Sequence, residues 1–168
     1  MKYLVPALFG ISLLLPVTAG AQHAAGTDRL TAAFRTCDMQ ASDLAVDLMR
    51  SASDATARAS FKKVHPDVGP VEILLSDDLP DMVAARVTLT GATPLAGLVP
   101  QELTAATCQE ACDYVVWSLN FGRVGQQEVA RLNAWVQQVK SRKTDPSPTP
   151  EVGQDIDGNI TLTCDLSI

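Results

Sequence analysis

Apolar residues recur every three or four positions between Asp28 and about Ala52. This spacing matches the period of an α-helix and predicts one continuous helix with a single apolar face. The apolar positions are Leu30, Ala33, Phe34, Cys37, Ala41, Leu44, Ala45 and Leu48. Cys37 belongs to this stripe, so its side chain is expected to face the core. Ser53-Asp54 can cap a second, short helix, although this segment could also continue the first helix. Pro66 ends it, because proline disfavours helical backbone at the preceding residue.

A period of two replaces the helical period in the middle of the chain. Residues 71–75 form a short apolar run, and the next stretch alternates apolar and polar side chains. This pattern predicts two strands that can form a hairpin across residues 76–81. The inward positions of the second strand are Val83, Ala85, Val87 and Leu89. Residues 91–100 are rich in Gly and Pro and are expected to form a loop. Residues 103–111 are ambiguous, and we interpret them as a short helix started by Pro100.

The last third of the chain predicts a strand, a long helix and a final strand. The helix covers Gln126 to Lys143, and the proline-rich residues 144–153 then predict an extended, exposed linker. The final strand follows a turn at Asp157 and Gly158. The inward positions are Val115, Trp117, Leu119 and Phe121 in the first strand, Val129, Leu132, Val136 and Val139 in the helix, and Ile160, Leu162, Cys164, Leu166 and Ile168 in the final strand.

The order of these elements is helices, strands, a helix and a strand. It predicts a single α+β domain of two layers, in which helices pack on one face of a small antiparallel or mixed sheet. No glycine-rich crossover from strand to helix indicates a nucleotide-binding fold. This domain is expected to cover residues 22–168.

The first residues have the composition of a secretory signal peptide. Lys2 precedes an uncharged apolar run over residues 3–17, and small residues follow up to Ala21. This order predicts export and cleavage after Ala21. An uncleaved membrane anchor is the alternative, but the run is short for a spanning helix and is interrupted by prolines and a glycine. We therefore expect residues 1–21 to be removed, and the short basic start favours a bacterial periplasm or secretion.

The charge balance argues against a nucleic-acid partner. The chain has 19 acidic and 13 basic residues, for a net charge of −6. An acidic surface repels phosphate backbones, and no cluster of Lys and Arg offsets this effect in the sequence. No second apolar run reaches spanning length, and no motif indicates a cofactor. We therefore expect neither a cofactor nor a membrane anchor after cleavage.

Four cysteines, Cys37, Cys108, Cys112 and Cys164, remain in the expected mature chain. An even number in an oxidising compartment predicts two disulfides. Cys37 and Cys164 both face inward by their periods, so we expect them to pair, which leaves Cys108 for Cys112. Crossed pairings of Cys37 with Cys108 or Cys112 stay open. A redox or metal-binding pair at Cys108 and Cys112 is an alternative, but it lacks the C-x-x-C spacing and a neighbouring His or Lys.

Other side chains that could carry chemistry lack the partners that chemistry needs. His65, at a helix end, could act as a general base, but no nucleophile motif accompanies it. Residues 155–159 resemble the start of a calcium loop, but the glycine and the final ligand are misplaced, so a β-turn is predicted. We therefore predict no catalytic residue and no metal site.

An acidic loop and one tyrosine are the candidate partner-binding residues. Asp77, Asp78 and Asp81 fall in one loop. Paired carboxylates can serve glycosidic chemistry, but an exposed acidic turn explains them as well, and such a turn can meet a basic partner. Tyr114 lies on the opposite face of its strand from Trp117 and is a plausible exposed aromatic anchor.

These features predict an exported protein without enzyme activity that binds another envelope or secreted protein, as an inhibitor or an accessory factor. The alternative hypothesis is a thiol-redox or hydrolytic enzyme of the cell envelope that uses Cys108 and Cys112, or His65. A third hypothesis is a structural envelope component, which would sediment as a large assembly.

The export hypothesis predicts the mass of the protein recovered from the cells that make it. We expect the intact chain to begin at Gln22 and to resist alkylation until it is reduced, because all four cysteines are bridged. Mass spectrometry before and after alkylation measures both properties. Retention of residues 1–21 would contradict export with cleavage. Alkylation of two cysteines without reductant would support the alternative of a reactive pair at Cys108 and Cys112.

Overall fold

The computed structural model describes residues 29–75, 81–108 and 114–167. Within these ranges the chain forms four α-helices and a six-stranded antiparallel sheet, which confirms the predicted α+β class. The helices are α1, described over 29–36, α2 (Asp43–Ser53), α3 (Ala55–Val64) and α4 (Gln126–Arg142). The strands are β1 (Glu72–Leu75), β2 (Met82–Thr88), β3 (Glu102–Cys108), β4 (Val115–Asn120), β5 (Glu151–Gln154) and β6 (Ile160–Asp165).

The strands lie in the order β1-β2-β3-β4-β6-β5, and every neighbouring pair is antiparallel. Consecutive strands β1 to β4 are neighbours, as in a meander. The chain then crosses through α4 to the edge strand β5 and returns as β6. The last strand is therefore hydrogen-bonded on both sides, between β4 and β5.

The two faces of the sheet differ in burial. Side chains on one face are buried, whereas their alternate neighbours on the other face stay partly exposed. The buried strand positions are Val83, Ala85, Val87, Leu103, Ala105, Trp117, Leu119, Ile160, Leu162 and Cys164. They form one apolar cluster with inward residues of all four helices. The helices therefore cover one face, and most of the strand alternation read from the sequence is confirmed.

The continuous helix predicted over 28–52 is wrong. The chain leaves the helix at Cys37, whose φ is +50°, makes a 3-10 turn at Met39–Ala41 and begins α2 after Ser42. Asp38 and Ser42 cap the new starts, because their short oxygen side chains accept backbone N–H groups that a helix start leaves unpaired. Cys37 still faces the core, as predicted.

The short helix predicted over 103–111 is also wrong where the structure describes it, because Glu102–Cys108 is strand β3. Its inward residues Leu103 and Ala105 are fully buried between the neighbouring strands β2 and β4. The alternation was weak in the sequence because Ala105 faces inward and Ala106 faces outward. Tertiary pairing on both sides decides the conformation here.

The predicted linker over 144–153 ends earlier than expected. Residues 144–150 have no regular structure, but Glu151–Gln154 pairs with β6 as strand β5. The prolines all precede the strand, so none removes a donor from it. Val152 lies opposite Leu162 on the inward face, which gives this short edge strand an apolar anchor.

Several local predictions are confirmed. Asp54 caps α3 by accepting the backbone N–H groups of Thr56 and Ala57, and α3 ends at Val64, before Pro66. Strands β1 and β2 pair as the predicted hairpin, whose connection at 76–80 lies outside the described residues. The turn before β6 places Gly158 at φ +82°, a backbone conformation that glycine adopts without steric cost.

A disulfide joins Cys37, just after α1, to Cys164 in β6, as predicted. The two Cα atoms are 5.4 Å apart, and 127 positions separate the two residues in sequence. Both cysteines are buried in the core. The bond therefore fixes the helical layer to the sheet near the two ends of the described chain.

Replacing both cysteines, Cys37→Ala with Cys164→Ala, is expected to lower the free energy of unfolding by about 4–5 kcal/mol. The reason is that the unfolded chain loses the closure of a very long loop. Urea unfolding of the variant and of the oxidised wild type measures the difference. A loss below about 1 kcal/mol would contradict this role for the bond.

Candidate functional site

A cavity of about 400 Å³ lies where the C-terminal ends of α1 and α4 meet the loop that follows α4. We call it the helix-end groove. Its lining residues are Arg35, Thr36, Trp135, Gln138, Val139, Arg142, Lys143, Thr144, Asp145 and Ser147. The groove thus joins residues of the first helix to residues about a hundred positions later.

Helix α1 contributes Arg35 and Thr36 from its last turn. The preceding residue Phe34 is buried against the indole ring of Trp117, with ring centroids 4.0 Å apart. The following residue Cys37 is bonded to β6. Arg35 and Thr36 therefore have a defined position at the groove, because the residues before and after them are both fixed to the sheet.

Helix α4 contributes one face to the groove and another face to the core. Leu132 and Val136 are buried in the apolar cluster. The groove residues Trp135, Gln138, Val139 and Arg142 follow each other at spacings of three, one and three, which places them together on a neighbouring face of the helix. Trp135 and Val139 are partly buried and form an apolar wall beside Arg142.

The loop after α4 closes the groove and is held by local hydrogen bonds. The Lys143 ammonium donates to the carbonyl oxygen of Ser147 at 2.9 Å and also to that of Pro148. The Asp145 carboxylate accepts the hydroxyl and the backbone N–H of Ser147. These bonds, the hydroxyl bond first, hold the pKa of Asp145 below its usual value, so this carboxylate is ionised at neutral pH.

The helix-end groove is basic although the whole chain is acidic. Its lining has three cations, Arg35, Arg142 and Lys143, against one carboxylate, Asp145. Within the described ranges the side chains of Arg35 and Arg142 form no hydrogen bond and no ion pair. Both helices end here, and basic side chains suit the negative ends of the helix dipoles. The two guanidinium groups nevertheless keep their donors available to a ligand.

The lining has few side chains of the kinds that usually act as nucleophile or base. Among the described lining residues there is no His, Cys or Glu. The hydroxyl of Thr36 donates to the Ala33 carbonyl at 3.4 Å, and the Ser147 hydroxyl donates to Asp145. These two hydroxyls are thus engaged by acceptors within the same segment, and among the described lining residues no His lies beside them as the usual base that makes a hydroxyl a nucleophile.

The described residues among the predicted partner-binding and redox candidates lie elsewhere, at one end of the sheet. Met82 pairs with Cys108 and Thr107 with Val115, so Asp81, Cys108 and Tyr114 come to the same end. Tyr114 is 36 % exposed, and Asp81 is exposed. Their grouping is a finding of the tertiary structure, and their role in binding a partner stays a prediction.

Part of that sheet end is not described. Asp77, Asp78 and Cys112 lie outside the described residues. Cys108 is disulfide-bonded, and its sulfur also lies 3.6 Å from the sulfur of Met82. The predicted bridge from Cys108 to Cys112 therefore stays a prediction. The crossed pairings with Cys37 are wrong, because Cys37 is bonded to Cys164.

His65 connects two helices. Its Nε2 atom lies 2.9 Å from the Asp47 carboxylate of α2, and its ring packs on Phe61 of α3 with centroids 4.8 Å apart. The His65 backbone N–H also donates to the Phe61 carbonyl at the end of α3. These contacts account for a histidine at a helix end, and they place it apart from the helix-end groove.

Residues 155–159 form the predicted turn between β5 and β6. One oxygen of Asp155 accepts the backbone N–H groups of Asp157 and Asn159, and the other accepts the side-chain amides of Asn159 and Asn120. The bond from the Asn159 side chain is the largest cause that lowers the pKa of Asp155. Asp155 is therefore an organiser of the hairpin. In the parts of the chain that are described, no cluster of three or more His, Cys, Asp or Glu could hold a metal ion.

Comparison with family models, with curated protein sequences and with solved structures returned no match. In the described part of the chain, no helix is long and apolar enough to cross a membrane. The geometry and charge of the helix-end groove are therefore the observations that bear on its function.

Charge-selective quenching of Trp135 tests the electrostatics of the groove. We expect iodide to quench Trp135 about twofold or more better than caesium does, because the groove concentrates anions despite the net charge of −6. Subtracting the quenching of a Trp135→Phe variant removes the signal of Trp117, which is fully buried. In an Arg35→Gln, Arg142→Gln variant the preference should fall. Equal or better quenching by caesium in the wild type would contradict a basic groove.

Proposed function

We propose that this protein is an exported binding protein without enzyme activity, and that the helix-end groove is its ligand site. One observation carries the proposal. Two guanidinium groups without protein partners in the described structure, Arg35 and Arg142, line a cavity beside the partly buried ring of Trp135. Concave sites that join an apolar wall to a few placed polar groups are typical of ligand binding.

Export is supported by two independent features. Residues 1–21 contain the basic Lys2, then an apolar run and small residues, in the order of a signal peptide. The bond between Cys37 and Cys164 is of the kind that persists in oxidising compartments. We therefore propose that the protein acts in the periplasm or outside the cell.

The proposal includes a second binding surface, which takes a protein partner. We propose that another envelope or secreted protein meets the sheet end that carries Asp81 before β2 and Tyr114 before β4. The net charge of −6 favours a basic surface on that partner. In this proposal the protein acts as an inhibitor or an accessory factor, with its ligand held at a separate place in the groove.

Ligand retention tests the binding function. The oxidised protein is incubated with the small molecules of an envelope extract, separated from unbound compounds by gel filtration, and denatured. Mass spectrometry then identifies what is released. We expect one compound at a stoichiometric amount and chemically unchanged. It should be absent from an Arg35→Gln, Arg142→Gln variant and present in a Lys63→Gln variant, which loses an exposed charge on α3, outside the groove lining.

Two further variants separate binding from the enzyme alternative. The proposal requires that His65→Gln, and Cys108→Ser with Cys112→Ser, keep the retained compound. Conversion of the compound by the wild type, lost in either variant, would favour the hydrolytic or redox enzyme instead. If the wild type retains nothing, the proposed binding function is wrong.

A further inference from the structure

We infer that the helix-end groove takes a small organic anion that carries a phosphate monoester, or a similar doubly charged oxyanion, on a flat unsaturated ring. This inference rests on the proposed binding function and names its ligand class. It follows from the charge of the lining, the donors of its arginines, the ring of Trp135 and the size of the cavity.

The charge of the lining favours a doubly charged group. Arg35, Arg142 and Lys143 exceed the single carboxylate Asp145 by two charges. The hydrogen bonds from Ser147 keep Asp145 ionised, so this balance holds at neutral pH. A phosphate monoester carries nearly two negative charges once its second proton is lost, near pH 6.

The donors in the groove suit an oxyanion more than another anion. Arg35 and Arg142 are guanidinium groups, whose planar forks bind phosphate or carboxylate through two parallel hydrogen bonds. Lys143 has a different part, because its ammonium donates to the Ser147 and Pro148 carbonyls. We therefore assign ligand contact to the two arginines and treat Lys143 as a positioning residue that holds the loop and adds positive field.

The apolar wall of the groove favours a ligand that contains a flat ring. Trp135 and Val139 lie on the same face of α4 as Arg142, and both are partly buried. An indole ring binds flat unsaturated rings by stacking, which adds to simple burial of apolar area. A purely inorganic anion would leave this wall without a contact, so we expect the ring to contribute to affinity.

The size of the cavity favours a small molecule over a protein surface. A volume of about 400 Å³ falls in the range of small-molecule sites.

The helix ends oppose anion binding, because the last carbonyl groups of α1 and α4 carry partial negative charge and repel an anion. This repulsion falls off within one turn, and the guanidinium groups extend beyond it on long side chains. We therefore expect binding that weakens as salt is added.

Calorimetry on the full oxidised chain tests the ligand class with defined probes. At pH 8 and low salt, phenyl phosphate should bind at least about fivefold more tightly than inorganic phosphate, and more tightly than benzoate, which has one charge. Benzyl alcohol and benzylamine should show no binding. Raising the salt to about 0.5 M should weaken phenyl phosphate several-fold.

Single substitutions assign the contacts. Arg35→Gln and Arg142→Gln should each weaken phenyl phosphate about tenfold or more, since each removes a charged hydrogen-bond donor. Trp135→Leu should weaken phenyl phosphate but leave inorganic phosphate unchanged. Lys63→Gln, the matched loss of one exposed charge outside the groove lining, should leave both affinities unchanged. Thermal unfolding of each variant is the control that checks whether the variant is folded.

The outcomes separate this inference from the proposed function. If phenyl phosphate does not bind, but a compound of other chemistry is retained from the extract through Arg35 and Arg142, the ligand class is wrong and the binding function stands. If a glutamate-rich peptide binds more tightly than phenyl phosphate, an acidic protein segment replaces the small molecule. If no probe binds and nothing is retained from the extract, both proposals are wrong.

Discussion

The disulfide between Cys37 and Cys164 joins the end of α1 to the penultimate residue of strand β6. One turn earlier on the same face of α1, Phe34 packs on Trp117, which is the register partner of Cys164 on the neighbouring strand. A covalent bond and an aromatic contact thus fix one helix to two adjacent inward positions of the sheet. Burial of this contact excludes water from the centre of the core, and the bond limits how far the unfolded chain can expand.

The helix-end groove is a consequence of that attachment. With Phe34 and Cys37 facing the sheet, the intervening Arg35 and Thr36 are left at the edge of α1 that meets α4. Helix α4 is held by its own buried stripe and presents Trp135 on a neighbouring face. The recognition side chains therefore stand on two packed helices, which reduces the ordering cost when a ligand binds.

Sequence periodicity predicted the elements whose two faces differ strongly in polarity. Strands β2, β4 and β6 and helix α4 belong to this group, and the inward direction of Cys37 and Cys164 was sufficient to predict their bond. Strand β3 was missed because Ala105 and Ala106 have the same polarity on opposite faces. The break after α1 was missed because its apolar spacing continues through the 3-10 turn, whereas the caps and the positive φ of Cys37 decide where the helix stops.

The sequence by itself determined the acidic charge, the α+β class and one disulfide, because each follows from composition or from the period of a single element. The sequence also has Lys140, Arg142 and Lys143 around the end of α4 and Trp135 next to the apolar position Val136. Only the tertiary structure brought Arg35 to that end and placed Asp81 beside Cys108 and Tyr114. Periodicity reports which face of an element is buried, but not which distant element lies against it, and a site shared by two helices depends on that second fact.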